Sequence, residues 1–247
     1  MAKFSLTAKF WLLSAAAVLV AGTTFSLGRW QLRRATQKQD LQLAIQAQSR
    51  LPVLNSKDLV DPVAVASAVY RRVVVSGIWR PEHTVFLDNR QMNGRPGFIV
   101  VTPLSLDGTG QMILVQRGWV PRHSQDRSIV KAPALSTDPV KLLTRVAPSP
   151  GRLFEFDHAA SGAIRQNLLV SEFARETGLR LRPLSLVQLD EAGSPQDGLL
   201  RNWPRPAADV HKNYGYAFQW FALSALIAGL FVWFKLIRNH VKAPNVS

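Results

Sequence analysis

The stretch His211–Lys235, HKNYGYAFQWFALSALIAGLFVWFK, joins a metal-binding side chain to a long uncharged apolar run. A neutral imidazole is a common metal ligand. Tyrosine and tryptophan at the head of an apolar run are also typical of an ordinary membrane boundary. The residues alone therefore leave two interpretations of His211 open, a ligand placed at a membrane surface or part of an interfacial anchor.

No catalytic pattern accompanies this histidine. The chain has no G-x-S-x-G, H-E-x-x-H, phosphate-binding or dinucleotide-binding motif, and it has no cysteine, which excludes disulfides and thiolate sites. The run EFDH, Glu155–His158, holds three metal-capable side chains. In a strand, however, His158 would point away from the two carboxylates, so a solvated loop or strand end is favoured over a metal site. A non-enzyme is predicted, with a membrane-anchored enzyme such as a hydrolase as the alternative.

The charge is strongly positive, with 30 Lys and Arg against 16 Asp and Glu and a formal net charge of +14. Such an excess suits an anionic lipid surface or an acidic partner. The arginines are scattered through apolar segments and form no basic tail, so nucleic-acid binding is not expected.

Two segments are apolar enough to span a membrane. Phe10–Leu27 carries no charge and lies between Lys9 and Arg29, and Tyr214–Phe234 is the second such run. A spanning helix needs about 20 apolar residues. A cleaved signal peptide is the alternative for the first run, but no cleavage site is obvious and Trp30 continues it as an interfacial residue.

These spans predict a two-pass protein. Residues 10–28 and 213–234 are the transmembrane helices, residues 29–212 form one domain that begins with a juxtamembrane helix over 29–49, and residues 1–9 and 235–247 lie on the opposite side. Basic residues flank both ends of the first span, so the positive-inside rule does not decide the orientation.

The region between the spans is predicted to be mostly β-strand. Short β-branched and aromatic runs alternate with Gly, Pro and Asn breakers, and DGTG between two such runs indicates a hairpin. A short helix is predicted over Leu169–Gly178, with Ser171 as N-cap and Gly178 at its end. Strands are expected at Tyr70–Trp79, Thr84–Gln91, Gly97–Leu106, Gln111–Val120, Val140–Val146, Ile164–Leu169 and Leu184–Leu189. The predicted fold class is an α+β membrane protein, in which a transmembrane hairpin carries a largely antiparallel, β-rich domain with one or two short helices.

Small residues mark one face of each predicted span. The first span has Ser14, Ala17, Ala21, Thr24 and Gly28 at helical spacing, and the second has His211, Gly215, Phe218, Ala222, Ala225 and Gly229. Small residues let helices approach closely in lipid. We therefore expect these faces to form the helix–helix seam, with Gly28 beside Gly215.

The turn LDNRQMNGRPGF and the strand QRGWV carry Arg90, Arg95, Gly97, Arg117, Gly118 and Trp119. Arginines in a β-domain usually brace loops through carbonyl and carboxylate bonds, and they can also hold carboxylates of a partner. The bracing role is favoured, and both roles stay open at this point.

Four linked motifs, LGRWQLRR, LDNRQMNGRPGFIVVTPL, ILVQRGWVP and NYGYAFQWF, occur in this order along nearly the whole chain. Together they resemble the Surfeit locus protein 1 family. The resemblance implies a non-enzymatic assembly factor for cytochrome c oxidase, with haem a insertion or stabilisation as its role. It also implies a bacterial inner membrane location with the main domain in the periplasm. The implied partners are the haem-bearing oxidase subunit and the haem a biosynthesis machinery, and the alternative is a scaffold that binds no haem.

The resemblance further implies a haem-ligating histidine at the start of the second span, three residues before a tyrosine and seven before a tryptophan. His211 is three residues before Tyr214, but Asn213 is the residue three before Tyr216 and seven before Trp220. Two residues are about 200° of helix rotation, so His211 and Asn213 cannot share a face. The expected haem-site residues are His211 as iron ligand, with Lys212, Tyr214, Tyr216, Trp220, Arg29 and Trp30 around it, and Arg205 is a further candidate partner for the propionates.

Overall fold

A computed structural model of the chain describes residues 6–59, 67–123, 125–126, 129–130, 133–147, 150, 162–190 and 197–237. The chain divides into two compact units, residues 1–43 with 205–247, and residues 44–204. The described helices are α1 (Leu6–Ser49), α2 (Val170–Thr177) and α3 (Val210–Val232), and α3 continues into a π-helical turn, Trp233–Ile237. The strands are β1 (Leu54–Asn55), β2 (Arg72–Trp79), β3 (Val85–Met92), β4 (Arg95–Leu106), β5 (Met112–Pro121), β6 (Val140–Ala147), β7 (Ile164–Arg165) and β8 (Leu181–Gln188).

The first unit is an antiparallel pair made by α1 and α3. Lys235 lies 5.1 Å from the ring of Phe10, and Ser224 donates a hydrogen bond to the carbonyl of Ala21 at 2.9 Å. Phe10–Ser49 and Val210–Lys235 are long and apolar enough to cross a membrane, and only 6% of each apolar window is buried. A core helix of a soluble protein would be mostly buried, so these helices fit membrane spans and the expected helical hairpin is confirmed.

The face of α1 that meets α3 is the predicted one. Thr24 and Gly28 are buried, and Ser14, Ala17 and Ala21 are half-buried, while the residues between them are exposed apart from the half-buried Leu27. The same spacing continues through Gln31, Ala35 and Lys38. This repeat of three and four residues is the seam geometry of a helix pair that packs side by side.

The predicted face of α3 is wrong. His211, Gly215, Phe218, Ala222, Ala225 and Gly229 are all exposed, and Phe218 is 74% exposed. The buried face instead follows Val210, Asn213, Ala217, Phe221 and Ser224. Gly28 meets the ring of Phe221 rather than Gly215, since a Cβ on Gly28 would lie 2.7 Å from that ring. At this level of the seam a small residue thus packs against a large one, which fills the space between the two helices.

The second unit is built on a closed ring of strands in the order β2–β6–β8–β5–β4, with β4 pairing back to β2. Most pairings are antiparallel, while β5–β8, β3–β7 and β1–β2 are parallel. β3 and β7 extend the sheet beyond β4. This β-rich unit with few helices confirms the predicted fold class.

The barrel interior is the main hydrophobic core. Alternate residues of each strand point inward, as in β2, where Val73, Val75 and Trp79 are buried. They pack against Leu104 of β4 and Leu186 of β8, among other residues of the same cluster. On the outer surface, Phe173 of α2 and the apolar residues around it pack against β3, β4 and β5. Some outward-facing side chains of β5, β6 and β8 instead line a cleft, which is described below.

Several boundaries differ from the sequence interpretation. β7 ends at Arg165 instead of Leu169, and the N-cap of α2 is Leu169 without a side-chain bond, so Ser171 is not the cap. Gly178 ends α2 with a φ of 70°, as expected for a left-handed C-cap. The hairpin at Asp107–Gly110 joins β4 and β5 as predicted. The EFDH run, residues 155–158, lies outside the described residues.

Candidate functional site

The start of α3 places His211 and Asn213 on opposite sides of the helix. α3 begins at Val210, one residue before His211, and the imidazole is exposed. Asn213 faces α1 and is half-buried. The ring of His211 is therefore not part of the helix–helix seam, because α1 packs against the face about 200° away from it.

Asn213 is fully engaged in hydrogen bonds across the seam. Its Nδ2 donates to Oε1 of Gln31 at 2.7 Å, and its Oδ1 accepts from Nζ of Lys38 at 2.9 Å. One turn along α3, Ala217 is 1% exposed. The seam at this level is a polar contact of Asn213 with Gln31 and Lys38, followed by the buried Ala217.

The other expected cofactor residues are spread over several faces. Tyr214 donates a hydrogen bond to Oε1 of Gln39 at 3.3 Å, while Lys212 is paired with Asp209 at 2.8 Å. Tyr216 is exposed and Trp220 is half-buried.

Arg29 and Trp30 are exposed on α1, and Arg205 is exposed before α3. Within the described part of the chain, no hydrogen bond, ion pair or ring contact joins any of these three residues to His211. Arg29 instead lines a shallow groove of α1 with Leu32, Arg33, Thr36 and Gln37.

The fit to a haem differs between the two candidate ligands. Asn213 does not fit, because both ends of its amide are already bonded inside the seam. His211 does fit, because its exposed imidazole on the outer face of α3 could hold a haem iron. One turn below it, a Cβ added to Gly215 would have no atom within 4 Å, so a flat ring can lie close to the backbone there. No cluster of three His, Asp or Glu side chains occurs among the residues that the structure describes.

In the barrel unit, Arg117 is buried and connects β5 to the segment that follows residue 197. It is 3% exposed, lies 3.8 Å from a carboxylate oxygen of Asp197 and stacks 5.4 Å over the ring of Trp79. Burial lowers the pKa of Arg117 to about 10, with Asp197 raising it and Arg201 lowering it. Arg201 also donates to the Arg117 carbonyl at 2.6 Å, so this network fixes the segment after residue 197 onto β5.

The glycines of the two barrel motifs allow close backbone approaches. A Cβ on Gly118 would lie 2.6 Å from the Cβ of Leu199, and a Cβ on Gly97 would lie 2.2 Å from the carbonyl oxygen of Val120 and 2.4 Å from the Trp119 ring. The indole of Trp119 in turn donates to the Arg90 carbonyl at 2.9 Å. Arg90 donates to the carbonyl of Gln166 at 2.9 Å, and Arg95 is exposed.

The sequence interpretation missed a β-bulge in β3 and a cleft beside it. The pairing of β3 with β4 shifts between Leu87 and Arg90, and Asn89 there has a φ of 59°. Asparagine is enriched in this left-handed conformation, so the Asp-Asn pair of LDNR was the available signal. The cleft, about 670 Å³ in volume, is lined by Arg90, Trp119, Arg145 and Trp203 among other residues. Arg145 and Trp203 carry no signal in the sequence that would assign them to it.

Comparison with known proteins matches this chain to one family. A family model described as the SURF1 family matches residues 18–225. The chain is 28% identical to a SURF1-like protein of Drosophila melanogaster over 91% of this chain and 77% of the fly protein. It is 24% identical to a SURF1-like protein of Rickettsia felis over 87% of this chain and 92% of that protein.

A third relative is the cytochrome oxidase assembly protein SHY1 of Saccharomyces cerevisiae, which is 30% identical over 39% of this chain. The match spans a quarter of the length of the yeast protein. The family match, in contrast, runs from within α1 to within α3 and includes the whole barrel unit. The chain belongs to the SURF1 family.

Proposed function

We propose that this protein is a membrane-anchored, non-enzymatic assembly factor for cytochrome c oxidase. The observation that carries the proposal is the family match over residues 18–225, together with a yeast relative that is named as an oxidase assembly protein. In this proposal the hairpin of α1 and α3 holds the protein in a bacterial inner membrane, and the barrel meets the nascent haem-bearing subunit on the periplasmic side.

Gene deletion tests the role in oxidase assembly. We expect membranes of the deletion strain to lose oxidase activity and haem a content, and the wild-type gene to restore both. The Arg117→Ala variant serves as a stability control, since it breaks the barrel network and should fail to complement because the protein is degraded. Normal oxidase activity and haem a content in the deletion strain would refute the proposal.

The orientation is tested by cysteine labelling, because the chain contains no native cysteine. Ser171→Cys places a thiol on an exposed position of the barrel unit, and Ser247→Cys places one at the end of the chain. A membrane-impermeant maleimide should label Ser171→Cys in intact spheroplasts and Ser247→Cys only after lysis. The reverse pattern would place the barrel in the cytoplasm.

We further propose that haem a is a cargo of this protein, held through His211 on the outer face of α3. The exposed imidazole and the open surface at Gly215 support this proposal. The haem-bearing subunit and the haem a biosynthesis machinery are then the partners between which the cargo passes.

An optical spectrum tests the cargo directly. The protein is co-expressed with the haem a biosynthetic enzymes and purified in mild detergent as the wild type, His211→Ala and Asn213→Ala. We expect haem in the wild type and in Asn213→Ala, and a loss of haem in His211→Ala. Haem retained in His211→Ala would show that another residue is the ligand. Haem lost only in Asn213→Ala would show that the ligand lies on the Asn213 face of α3.

A scaffold that binds no haem is the second candidate function. The hydrogen bonds of Asn213 favour it, because the residue at the spacing of the family histidine is used here to join α3 to α1. A colourless wild-type protein, together with loss of oxidase in the deletion strain, would establish the scaffold and exclude the cargo.

A further inference from the structure

The cleft of the barrel unit lies on the outer face of the sheet. Its floor follows a row of paired positions, with Gln116 of β5 opposite Val187 of β8 and Val187 opposite Arg145 of β6. Residues opposite each other in a sheet point to the same side. Since alternate residues of these strands fill the barrel core, this row points outward. The bulged end of β3 contributes Arg90 to the same cleft.

Two guanidinium groups line the cleft without a carboxylate partner among the residues that the structure describes. Arg90 donates one bond to a carbonyl, and its Nε is buried without a hydrogen bond. The side chain of Arg145 has no hydrogen bond or ion pair with any residue that the structure describes, and it stands opposite another arginine, Arg72, in the β2–β6 pairing. Four other arginines in the described part of this unit are each paired with an acidic side chain: Arg117, Arg122, Arg165 and Arg201.

The environment of both groups is partly dehydrated. Burial lowers the pKa of Arg90, and burial, opposed by Tyr70, lowers the pKa of Arg145. Arginine stays protonated in proteins, so the cleft holds two cations that have lost part of their hydration. An anion that enters replaces that lost hydration with charge-assisted hydrogen bonds, which are stronger than those between neutral groups.

The rest of the cleft lining is mostly apolar, although Asn89, Gln91 and Gln116 also line it. The indole N–H of Trp119 is bonded to the Arg90 carbonyl, and that of Trp203 is bonded to the Gln188 carbonyl at 2.8 Å. Neither indole therefore has a free donor. Trp203 is half-buried and presents carbon surface to the cleft, whereas Trp119 is 1% exposed and presents almost none. Val187 and Ile99 add aliphatic surface. A volume of about 670 Å³ lies within the usual range of small-molecule sites, about 300–1,000 Å³.

We propose that this cleft binds an anionic amphiphile, with a carboxylate or phosphate group held by Arg90 and Arg145 and an apolar chain held against Trp203 and Ile99. The inference rests on two arginines that have no carboxylate partner in the described part of the chain, together with apolar surface in the same cleft. Neither a simple anion nor a neutral hydrocarbon would use both. The site shares no residue with those proposed for haem and does not depend on the oxidase role.

Photo-crosslinking of the full chain in phosphatidylcholine nanodiscs tests the site. The probes are a diazirine-bearing palmitic acid, the matching palmityl alcohol and a diazirine-bearing lysophosphatidic acid, and cross-linked peptides are mapped by mass spectrometry. We expect the acid to label peptides that contain residues 89–92, 145–147 or 203–204, and the alcohol to leave them unlabelled. Lysophosphatidic acid separates a phosphate source from a carboxylate source, and labelling by either anionic probe supports the proposal.

Arg145→Gln is the main variant, since Arg145 makes no described bond whose loss would unfold the barrel. We expect about tenfold less labelling of the cleft, which corresponds to one lost charge-assisted bond. Arg90→Gln should act in the same direction. Arg180→Gln, at an exposed arginine outside the cleft, is the matched control and should label as the wild type does. Thermal unfolding of each variant shows whether the barrel remains folded.

Three results would overturn the proposal. Equal labelling by the alcohol would show that the charge is not used, and full protection by acetate or inorganic phosphate would show that the apolar walls are not used. Labelling confined to α1 and α3 would show that the cleft takes no amphiphile, and an acidic segment of a protein partner would then be the occupant to examine.

Discussion

The packing face of α3 gives the sharpest test of the structure, because the sequence pattern and the structure disagree about it. The small-residue pattern places Ala222 against Ala21, whereas the structure places Ser224 there, with its hydroxyl 2.9 Å from the Ala21 carbonyl oxygen. The absence of native cysteines makes disulfide cross-linking a clean measurement. The two double variants to compare are Ala21→Cys with Ser224→Cys and Ala21→Cys with Ala222→Cys.

The expected difference follows from helix geometry. Positions 222 and 224 differ by about 200° of rotation and about 3 Å of rise, and Cα atoms lie on a cylinder of about 2.3 Å radius. The Cα of Ala222 therefore lies about 4–5 Å farther from α1 than the Cα of Ser224 does. Disulfides form when the Cα atoms are about 4.4–6.8 Å apart, and helix axes pack about 8–10 Å apart. This displacement takes position 222 out of range and leaves position 224 within it.

The assay is oxidation of the membrane-embedded protein with copper phenanthroline, followed by non-reducing electrophoresis after cleavage between the helices. We expect the 21–224 pair to cross-link within minutes and the 21–222 pair to remain mostly reduced at the same time. Each single-cysteine variant controls for links between molecules. Faster cross-linking of the 21–222 pair would refute the assigned face of α3 and return His211 to the seam.

Three further predictions concern stability. Gly28→Ala should lower the thermal midpoint, because overpacking against the facing phenylalanine ring costs about 1–3 kcal/mol, whereas Gly22→Ala, with nothing within 4 Å, should leave it unchanged or raise it. Equal shifts would contradict the close approach. Gly97→Ala should lower the urea midpoint of the barrel, followed by tryptophan fluorescence, by at least as much, because the methyl group meets a backbone carbonyl that cannot rotate away; an unchanged midpoint would contradict this. Hydrogen bonds from Arg165 lower the pKa of Glu176 below 4.5, so this carboxylate stabilises the fold above that pH and its contribution is lost as the pH falls through the lowered pKa. Glu176→Gln should therefore cost up to about 1 kcal/mol at neutral pH and nothing in acid, and a cost that is independent of pH would refute the pairing.

The secondary structure was largely readable from local patterns. Uncharged runs indicated both membrane helices, the DGTG turn indicated the β4–β5 hairpin, and Gly178 indicated the end of α2, because each signal acts over a few residues. The errors also have local causes. β7 has only two paired residues, so residues 166–169 do not extend the strand and instead lead into α2.

The candidate site was only partly readable. The motif arginines and glycines were singled out from the sequence, but their contacts depend on neighbours that are distant in sequence. Arg117 pairs with Asp197, and its carbonyl accepts a hydrogen bond from Arg201. Gly118 must lack a side chain because Leu199 lies too close to it. The separation of His211 from Asn213 followed from helix rotation alone, since two residues on one helix keep a fixed angle.

The sequence by itself determined that two apolar helices flank a β-rich unit. It also determined which face of α1 carries the small residues that meet α3. Only the tertiary structure decided which face of α3 meets it. In lipid both faces of a helix are apolar, so hydrophobicity does not mark the buried one. The choice rests on the fit of Phe221 against Gly28 and on the bonds of Asn213 to Gln31 and Lys38. These partners are separated by more than 170 residues, and no local pattern records that they meet.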